Sequence, residues 1–411
     1  MSYAINDQVV LSRAPDGPLA PYLGPFADSL KQQGYSPHYI HYHVRLCAYL
    51  SRWLAKTGIP LRDVTSTHTA RYLKFRYQRR RPTTGDAAAL SHFLGFLRHK
   101  GVIPTQDSPP CARTPVQRCA HAYARYLREE RALAEATIVN YVPFASQFLE
   151  EHFGSGSLSL SRLSPQDVIH FVQCQAPRLH LKRAKLLTTA LRSFLQYLRY
   201  SGKTRVDLAA AVPCVANWSM PSIPRGIAPQ QVRQVLRAVD RSTATGRRDY
   251  AILLLLARLG LRSGEVASLD LDDIDWAGGC VHVYGKGRQV QVPLPQDVGD
   301  AIVAYLRHAR PRSNSRRVFL RAKAPVRGFL GASAVGSIVR HALLRAGIET
   351  PTTGAHQFRH GLATQMLRQG ASLAEIGTVL GHRSPETTKI YTKVDIEALR
   401  TLALPWPGAG R

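Results

Sequence analysis

The sequence predicts a mainly α-helical protein whose C-terminal part carries one small antiparallel β-sheet. Three observations lead there. Apolar residues recur at helical spacing through most of the chain, and two Pro-rich stretches cut it into three segments. Only the third segment holds short Val-rich alternation of the strand type, set around a Gly-rich turn. At 411 residues and 45% hydrophobic composition, the chain is too long for one ordinary core and apolar enough to build several.

The Pro-rich stretches are Pro104–Pro115 (PTQDSPPCARTP) and Val212–Pro224 (VPCVANWSMPSIP), and both read as linkers. They leave segments at 15–103, 115–211 and 225–405. The first two look like copies. Ala89–Gly101 reads ALSHFLGFLRHKG and Ala190–Gly202 reads ALRSFLQYLRYSG, with seven of thirteen positions identical, including the closing glycine. Upstream, QGYSPHYIHYH (Gln33–His43) occupies the place of RALAEATIVNY (Arg131–Tyr141), and the spacing between copies drifts only from 98 to 101 residues. Each copy therefore carries an early amphipathic helix and a late one stopped by a C-capping glycine. Shared Leu and Phe alone would not impose the same order, position and stop.

The third segment opens on a helix with Pro229 in its first turn (PQQVRQVLRAVD). A longer apolar helix, Asp249–Leu259, is broken by Gly260. Two strand-like runs follow, CVHVY (280–284) and QVQVPL (289–294), joined by Gly285-Lys286-Gly287-Arg288 as a hairpin. Helices return near 332–346, 356–369, 372–380 and 385–393, the last with Ser384 as N-cap and Pro385 at its first position.

Charge favours nucleic acid as the partner over a ribosome-bound or merely basic protein. The chain has 55 Lys+Arg against 27 Asp+Glu, a net +28, spread along its whole length. Solubility needs far less, and a polyanion, nucleic acid in the first place, accounts for the excess. Basic and aromatic residues interleave in HYIHYHVR (His38–Arg45) and KFRYQRRRP (Lys74–Pro82), which suits helices lying along phosphates. The longest apolar run, Ala251–Ala257, is far short of the roughly 20 residues that span a bilayer. The N-terminus MSYAINDQVV lacks the basic start and apolar block of a signal peptide. Six scattered cysteines form no C-x-x-C pair, which argues against a disulfide frame or zinc ribbon. The expectation is a cytoplasmic protein without metal or cofactor.

Four pieces of the third segment hold polar residues that packing does not explain. Arg262 follows a Gly-Leu break in ARLGLRSGEVASLDLDDIDW; Lys286 sits at the hairpin tip. His356 and Arg359 are three apart in GAHQFRHGLATQML, hence on one helix face. His382, in LGHRSPETTKIYTKV, precedes Tyr391 by nine residues. His356 and His360 are four apart, as zinc-binding histidines can be, but the second-position Glu of that motif is absent and no third ligand is in view.

In this order and spacing the residues resemble the tyrosine recombinase (phage-type integrase) family. Its pattern is an Arg in a G-L-R-x-x-E block, a hairpin Lys, H-x-x-R, L-G-H, and a Tyr nine residues on. Here these are Gly260-Leu261-Arg262 with Glu265, Lys286, His356 and Arg359, Leu380-Gly381-His382, and Tyr391. The resemblance covers the third segment fully. The second resembles the family's helical, SAM-like core-binding domain, and the first is an extra copy that minimal members lack. Phe358 replaces the family's usual Leu within H-x-L-R.

The resemblance implies a DNA strand transferase working without ATP or metal. Arg262 and Arg359 would neutralise the phosphate bidentately, which lysine does less well. Tyr391 would attack phosphorus to leave a 3′-phosphotyrosine and a free 5′-hydroxyl. Phenol ionises near pH ~10, so it needs a base or a cationic pocket. His356 is the candidate base, Lys286 the acid for the leaving 5′-oxygen, His382 a phosphate ligand, and Glu265 a supporting group that orients an arginine. The expected partner is double-stranded DNA, bound by a homo- or hetero-tetramer on paired sites, with Asp395–Leu404 as a helix that docks on a neighbouring subunit. The biological role would be integration, excision or transposition of a mobile element. Two other readings stand beside it: a type IB topoisomerase-like relaxing enzyme, and a catalytically idle accessory subunit.

Overall fold

The computed structural model describes residues 3–6, 9–104, 114–154, 156–215, 226–285, 288–350, 352–382 and 384–394. Most of both Pro-rich stretches, Lys286 and the segment 395–404 lie outside the described residues. The chain divides into two compact units. One is Gln106–Pro221; the other combines Met1–Thr105 with Ser222–Arg411.

In the first segment a short antiparallel hairpin, β1 (Tyr3–Asn6) and β2 (Val9–Leu11), precedes helices α1 (Leu23–Gln32), α2 (Pro37–Thr57), α3 (Ser66–Tyr77) and α4 (Asp86–His99). Helix α2 starts where the Ser36 hydroxyl accepts a hydrogen bond from the Tyr39 N–H at 3.3 Å, with Pro37 where a missing N–H costs nothing. Phe26, Ile40, Val44, Leu54, Phe93 and Leu97 form its core.

The separate unit is built from α5 (Pro115–Glu129), α6 (Glu135–Phe153), α7 (Pro165–Gln175) and α8 (Leu181–Tyr200) around Tyr123, Phe148, Leu187, Phe194 and Leu198. Its internal plan repeats that of α1–α4. In each, the long second helix is followed by a 3₁₀ turn, Leu61–Asp63 or Leu160–Arg162. A capping box then opens the third helix, Thr65 with His68 or Ser164 with Asp167. The fourth helices end alike. The Val102 N–H reaches the Leu97 carbonyl at 2.9 Å, and the Lys203 N–H reaches that of Leu198 at 2.9 Å. Both closures need a left-handed residue, supplied by Gly101 (φ 69°) and Gly202 (φ 67°).

The third segment runs α9 (Pro229–Arg237), α10 (Ala244–Arg258), α11 (Ser263–Ser268), β3 (Ile274–Asp275), β4 (Cys280–Gly285), β5 (Arg288–Pro293), α12 (Gln296–His308), α13 (Ala332–Arg345), α14 (His356–Arg368), α15 (Leu373–Leu380) and α16 (Pro385–Thr388). The sheet is antiparallel in the order β3-β4-β5. Its β4–β5 register runs from Cys280↔Pro293 to Gly285↔Arg288, leaving a two-residue tip. Helix α10 is the hub: Ala251 through Leu256 are all buried, and a helix apolar on every side belongs inside. Each of those leucines contributes roughly 1.5–3 kcal/mol by leaving water.

Three details differ from the sequence expectation. Helix α10 begins at Ala244 rather than Asp249, because Thr243 caps it by accepting from the Gly246 N–H at 3.0 Å. The buried charges this adds are paired, which offsets their desolvation: Arg248 pairs with Asp249 at 2.8 Å and donates to the Leu320 carbonyl at 3.0 Å. A helix α12, not anticipated, packs on α10 through Val298, Ile302 and Tyr305. Lastly, the run 385–393 is one α-turn followed by a 3₁₀ helix, Lys389–Val394. With three residues per turn, a 3₁₀ helix eclipses positions i and i+3. Thr388, which ends the α-turn, and Tyr391, three residues on in the 3₁₀ helix, are both buried.

Candidate active site

Gly260 ends α10 at φ 60°, and the chain turns so that Arg262 becomes the N-cap of α11. An arginine cannot cap a helix as Ser or Asp does. Glu265 reaches back instead: one carboxylate oxygen accepts from the Arg262 backbone N–H at 2.7 Å, the other from Arg262 Nη1 at 2.7 Å. A single carboxylate thus closes the helix end and fixes the guanidinium. Glu265 is only 10% exposed while Arg262 is 36% exposed, so the anion is the buried anchor and the fork faces outward. A Cβ placed on Gly285 would lie 2.8 Å from Glu265 Oε1, which brings the end of β4, next to Lys286 in sequence, against this pair.

Arg359, 4% exposed on α14, holds the second arginine position. Its Nη1 donates to the Gly260 carbonyl at 2.7 Å and its Nη2 to the Leu380 carbonyl. Both acceptors are carbonyls at helix ends, which the helices themselves leave unsatisfied. Arg359 therefore fastens the end of α10 to the end of α15. Past Leu380, Gly381 turns left-handed and His382 donates its N–H to the Gly377 carbonyl at 2.8 Å. Its Nδ1 lies 2.7 Å from Thr388 Oγ1.

Tyr391 packs against these groups, stacked on the His382 ring (centroids 6.3 Å apart, planes at 10°) and in contact with Ala363, Ile376 and Leu380. Its hydroxyl is 3.0 Å from Nδ1 of His360. At 1% exposure, burial raises the phenol pKa above 10, and the positive charges of Arg359 and Arg262 pull the other way. Burial also lowers the His360 pKa, and His356 and Arg359 add to that shift. Its imidazole is thus neutral at pH 7, and one ring nitrogen can accept a proton. His356, exposed at the start of α14, has its ring 6.2 Å from that of His360.

The fold thus brings Arg262, Glu265, Arg359, His382 and Tyr391 together, with His356 at the rim; Lys286 lies outside the described residues. The sequence reading takes His360, beside Arg359, as supporting the family resemblance but gives it no catalytic role, yet it is the residue facing the Tyr391 hydroxyl. The available signal was its i+4 spacing from His356 on the same helix face. Away from this cluster, Asp275, Cys280 and His282 place donor atoms within 4.8 Å of one another. The Cys280 sulfur there is already engaged by Gln291 at 2.8 Å and Asp275 at 3.8 Å. Among the described residues no helix is long and apolar enough to cross a membrane.

The chain is similar to known proteins over most of its length. Residues 225–397 match the phage integrase family, and residues 120–202 match its N-terminal SAM-like domain. The chain is 54% identical over 408 residues to the "Putative integrase/recombinase y4rA" of Sinorhizobium fredii, covering 99% of both chains. It is 32% identical to the tyrosine recombinase XerD of Vibrio vulnificus over 283 residues, 66% of this chain and 90% of that one. In fold it is similar to XerH site-specific recombinase bound to palindromic difH substrate (TM-score 0.56, 21% identity, 70% of this chain and 84% of that one). It is also similar to the Tn1549 transposon integrase in complex with circular intermediate DNA (TM-score 0.52, 16% identity, 69% and 98%). With near-complete coverage by one relative and both family domains matched in order, the chain belongs to the phage integrase family of tyrosine-type site-specific DNA recombinases.

Proposed function

We propose that this recombinase cuts and rejoins DNA strands through a 3′-phosphotyrosine formed on Tyr391. The supporting observation is the convergence of two arginines and two histidines on one buried phenol. The Tyr391 oxygen attacks phosphorus, the bond to the 5′-oxygen breaks, and the phosphate remains diester, so no external energy source is needed. Arg262 and Arg359 offset the charge that grows on the non-bridging oxygens. His382 donates to one of them, and Lys286 protonates the departing 5′-oxygen. Glu265 keeps the Arg262 fork aimed. His360, rather than His356, takes the phenol proton, because its Nδ1 lies 3.0 Å from the hydroxyl, while the exposed His356 ring lies 6.2 Å from the His360 ring. A 5′-hydroxyl from a second duplex then reverses the step, which is strand exchange.

In this reading 15–103, 115–211 and 225–405 are three domains. The first duplicates the core-binding domain, as the shared helix order, capping boxes and glycine closures support. The protein works in the cytoplasm as a tetramer on paired sites, and its task is to integrate, excise or transpose a mobile element. The test is a suicide duplex, nicked so that the cut strand cannot religate. Wild type should become covalently attached to the 3′ end, and Tyr391→Phe should not. An adduct that persists in Tyr391→Phe would refute the proposal.

A further inference from the structure

Between the C-terminal halves of α2 and α3 lies an open cleft of about 310 Å³ lined by nine residues, all aromatic or basic. The two stretches contribute at the same spacing, i, i+3, i+4, i+7: Tyr49, Arg52, Trp53 and Lys56 from α2; Tyr72, Phe75 and Arg76 from α3, with Arg79 in the turn that ends it. That spacing puts each set on one helix face, and Arg80 follows just past the end of α3. Trp53 and Tyr72 are buried and form the floor. Arg76 is held by the buried Asp86 at 3.6 Å. Arg52, Lys56, Arg79 and Arg80 meet no carboxylate among the described residues.

Cations near helix C-termini are common, since the dipole favours them. Here more is arranged than that. The guanidinium carbons of Arg52 and Arg80 both lie 5.7 Å from the Tyr49 ring centroid, and that of Arg79 lies 4.8 Å from that of Phe75. Stacking on a ring removes side-chain freedom and leaves the in-plane N–H groups available for bidentate phosphate grip, although Arg52 Nη2 also donates to the Ala14 carbonyl at 3.5 Å. It also occupies the ring faces on which a base would stack. Arginines without a carboxylate partner, set over these rings, favour backbone over base.

We propose that this cleft is a phosphodiester-backbone site for duplex DNA, one that fastens the N-terminal segment to DNA without reading its sequence. The inference rests on DNA as the partner and goes beyond the chemistry at Tyr391. The test uses the full chain and a fluorescein-labelled, random-sequence 40-bp duplex titrated by anisotropy from about 50 to 300 mM KCl, since each phosphate contact contributes roughly −0.9 to the slope of log K against log salt. The triple substitution Arg52→Gln, Arg79→Gln, Arg80→Gln should lower that slope by about two to three and weaken binding at 100 mM KCl by roughly 10–100-fold. The loss should be equal on AT-rich and GC-rich duplexes. Arg79 and Arg80 are exposed, so thermal unfolding should be unchanged, and the double variant Arg79→Gln, Arg80→Gln repeats the test without the half-buried Arg52. Arg62→Gln with Lys100→Gln, which removes exposed charge elsewhere in the same segment, should move the slope by less than one.

An unchanged slope in the triple variant overturns the cleft while leaving the recombination chemistry standing, provided the wild type still forms its Tyr391 adduct. An equal loss from the control pair also overturns it, because net charge would then suffice. So does a loss confined to one base composition, which would mean base readout. A wild type with neither salt-dependent DNA binding nor adduct removes the DNA reading itself.

Discussion

The hydroxyl of Tyr391 lies 3.0 Å from Nδ1 of His360, a residue thirty-one positions upstream on the helix that also carries Arg359. One helix thus carries both the imidazole that faces the phenol and, one residue earlier, the arginine that ties the ends of α10 and α15.

If His360 accepts that proton, His360→Gln should slow covalent attachment to the suicide duplex by roughly 10²–10⁴-fold, with little change in DNA affinity. Wild-type activity should hold as pH falls to 6.5 and be lost only below it, because the His360 pKa is lowered and only the neutral ring accepts. The variant should lack that acid limb. Equal rates and identical limbs in the two proteins would exclude His360 from proton transfer.

Glu265 meets Arg262 twice, at the backbone and at the guanidinium. A hydrogen bond to a charged group is worth about 1.5–3 kcal/mol. Glu265→Ala should therefore lower the single-turnover cleavage rate by roughly 10–100-fold. Glu265→Gln keeps the cap and should recover part of it. Cleavage as fast as wild type in Glu265→Ala would mean that Arg262 aims itself.

At Gly260 a methyl group would meet Leu380 Cδ2 at 2.8 Å and Leu362 Cδ2 at 3.0 Å, and its φ of +60° is strained for any L side chain. Gly260→Ala should cost about 1–3 kcal/mol in urea unfolding. It should also depress cleavage, since the Gly260 carbonyl is an acceptor for Arg359. Wild-type stability and cleavage together would contradict this account.

His43 is buried against Tyr39 (ring centroids 3.7 Å), and burial, with repulsion from His92 second, lowers its pKa to about 4. The folded protein holds this ring neutral while the unfolded chain protonates it near pH 6.5. Stability is therefore full above 6.5 and lost as pH falls toward 4. At 1.36 kcal/mol per unit, about 3 kcal/mol is at stake. The α1–α4 segment of His43→Leu should resist acid better than wild type, as read by far-UV circular dichroism between pH 7 and 4. Equal acid sensitivity would assign the loss to other groups.

Much of this was legible along the chain. The all-apolar Ala251–Leu256, the hairpin around Gly285–Arg288 and the polar residues of the G-L-R, H-x-x-R and L-G-H motifs are local patterns, and helix and strand periodicity is a local property. The start of α10 was less so, because the cap at Thr243 and the burial of Arg248 depend on Leu320, far along the chain.

The sequence by itself determined the family motifs and the order in which Arg262, His356, Arg359, His382 and Tyr391 stand in them, the residue types that the proposed phosphate capture calls for. Tertiary structure alone decided who holds whom: Arg359 on the Gly260 carbonyl ninety-nine residues away, and His360 rather than His356 facing Tyr391. The reason is that hydrogen bonds need placement within a few tenths of an ångström. Packing of α10, α14, α15 and the closing 3₁₀ turn sets that placement, and no pattern within one helix encodes it.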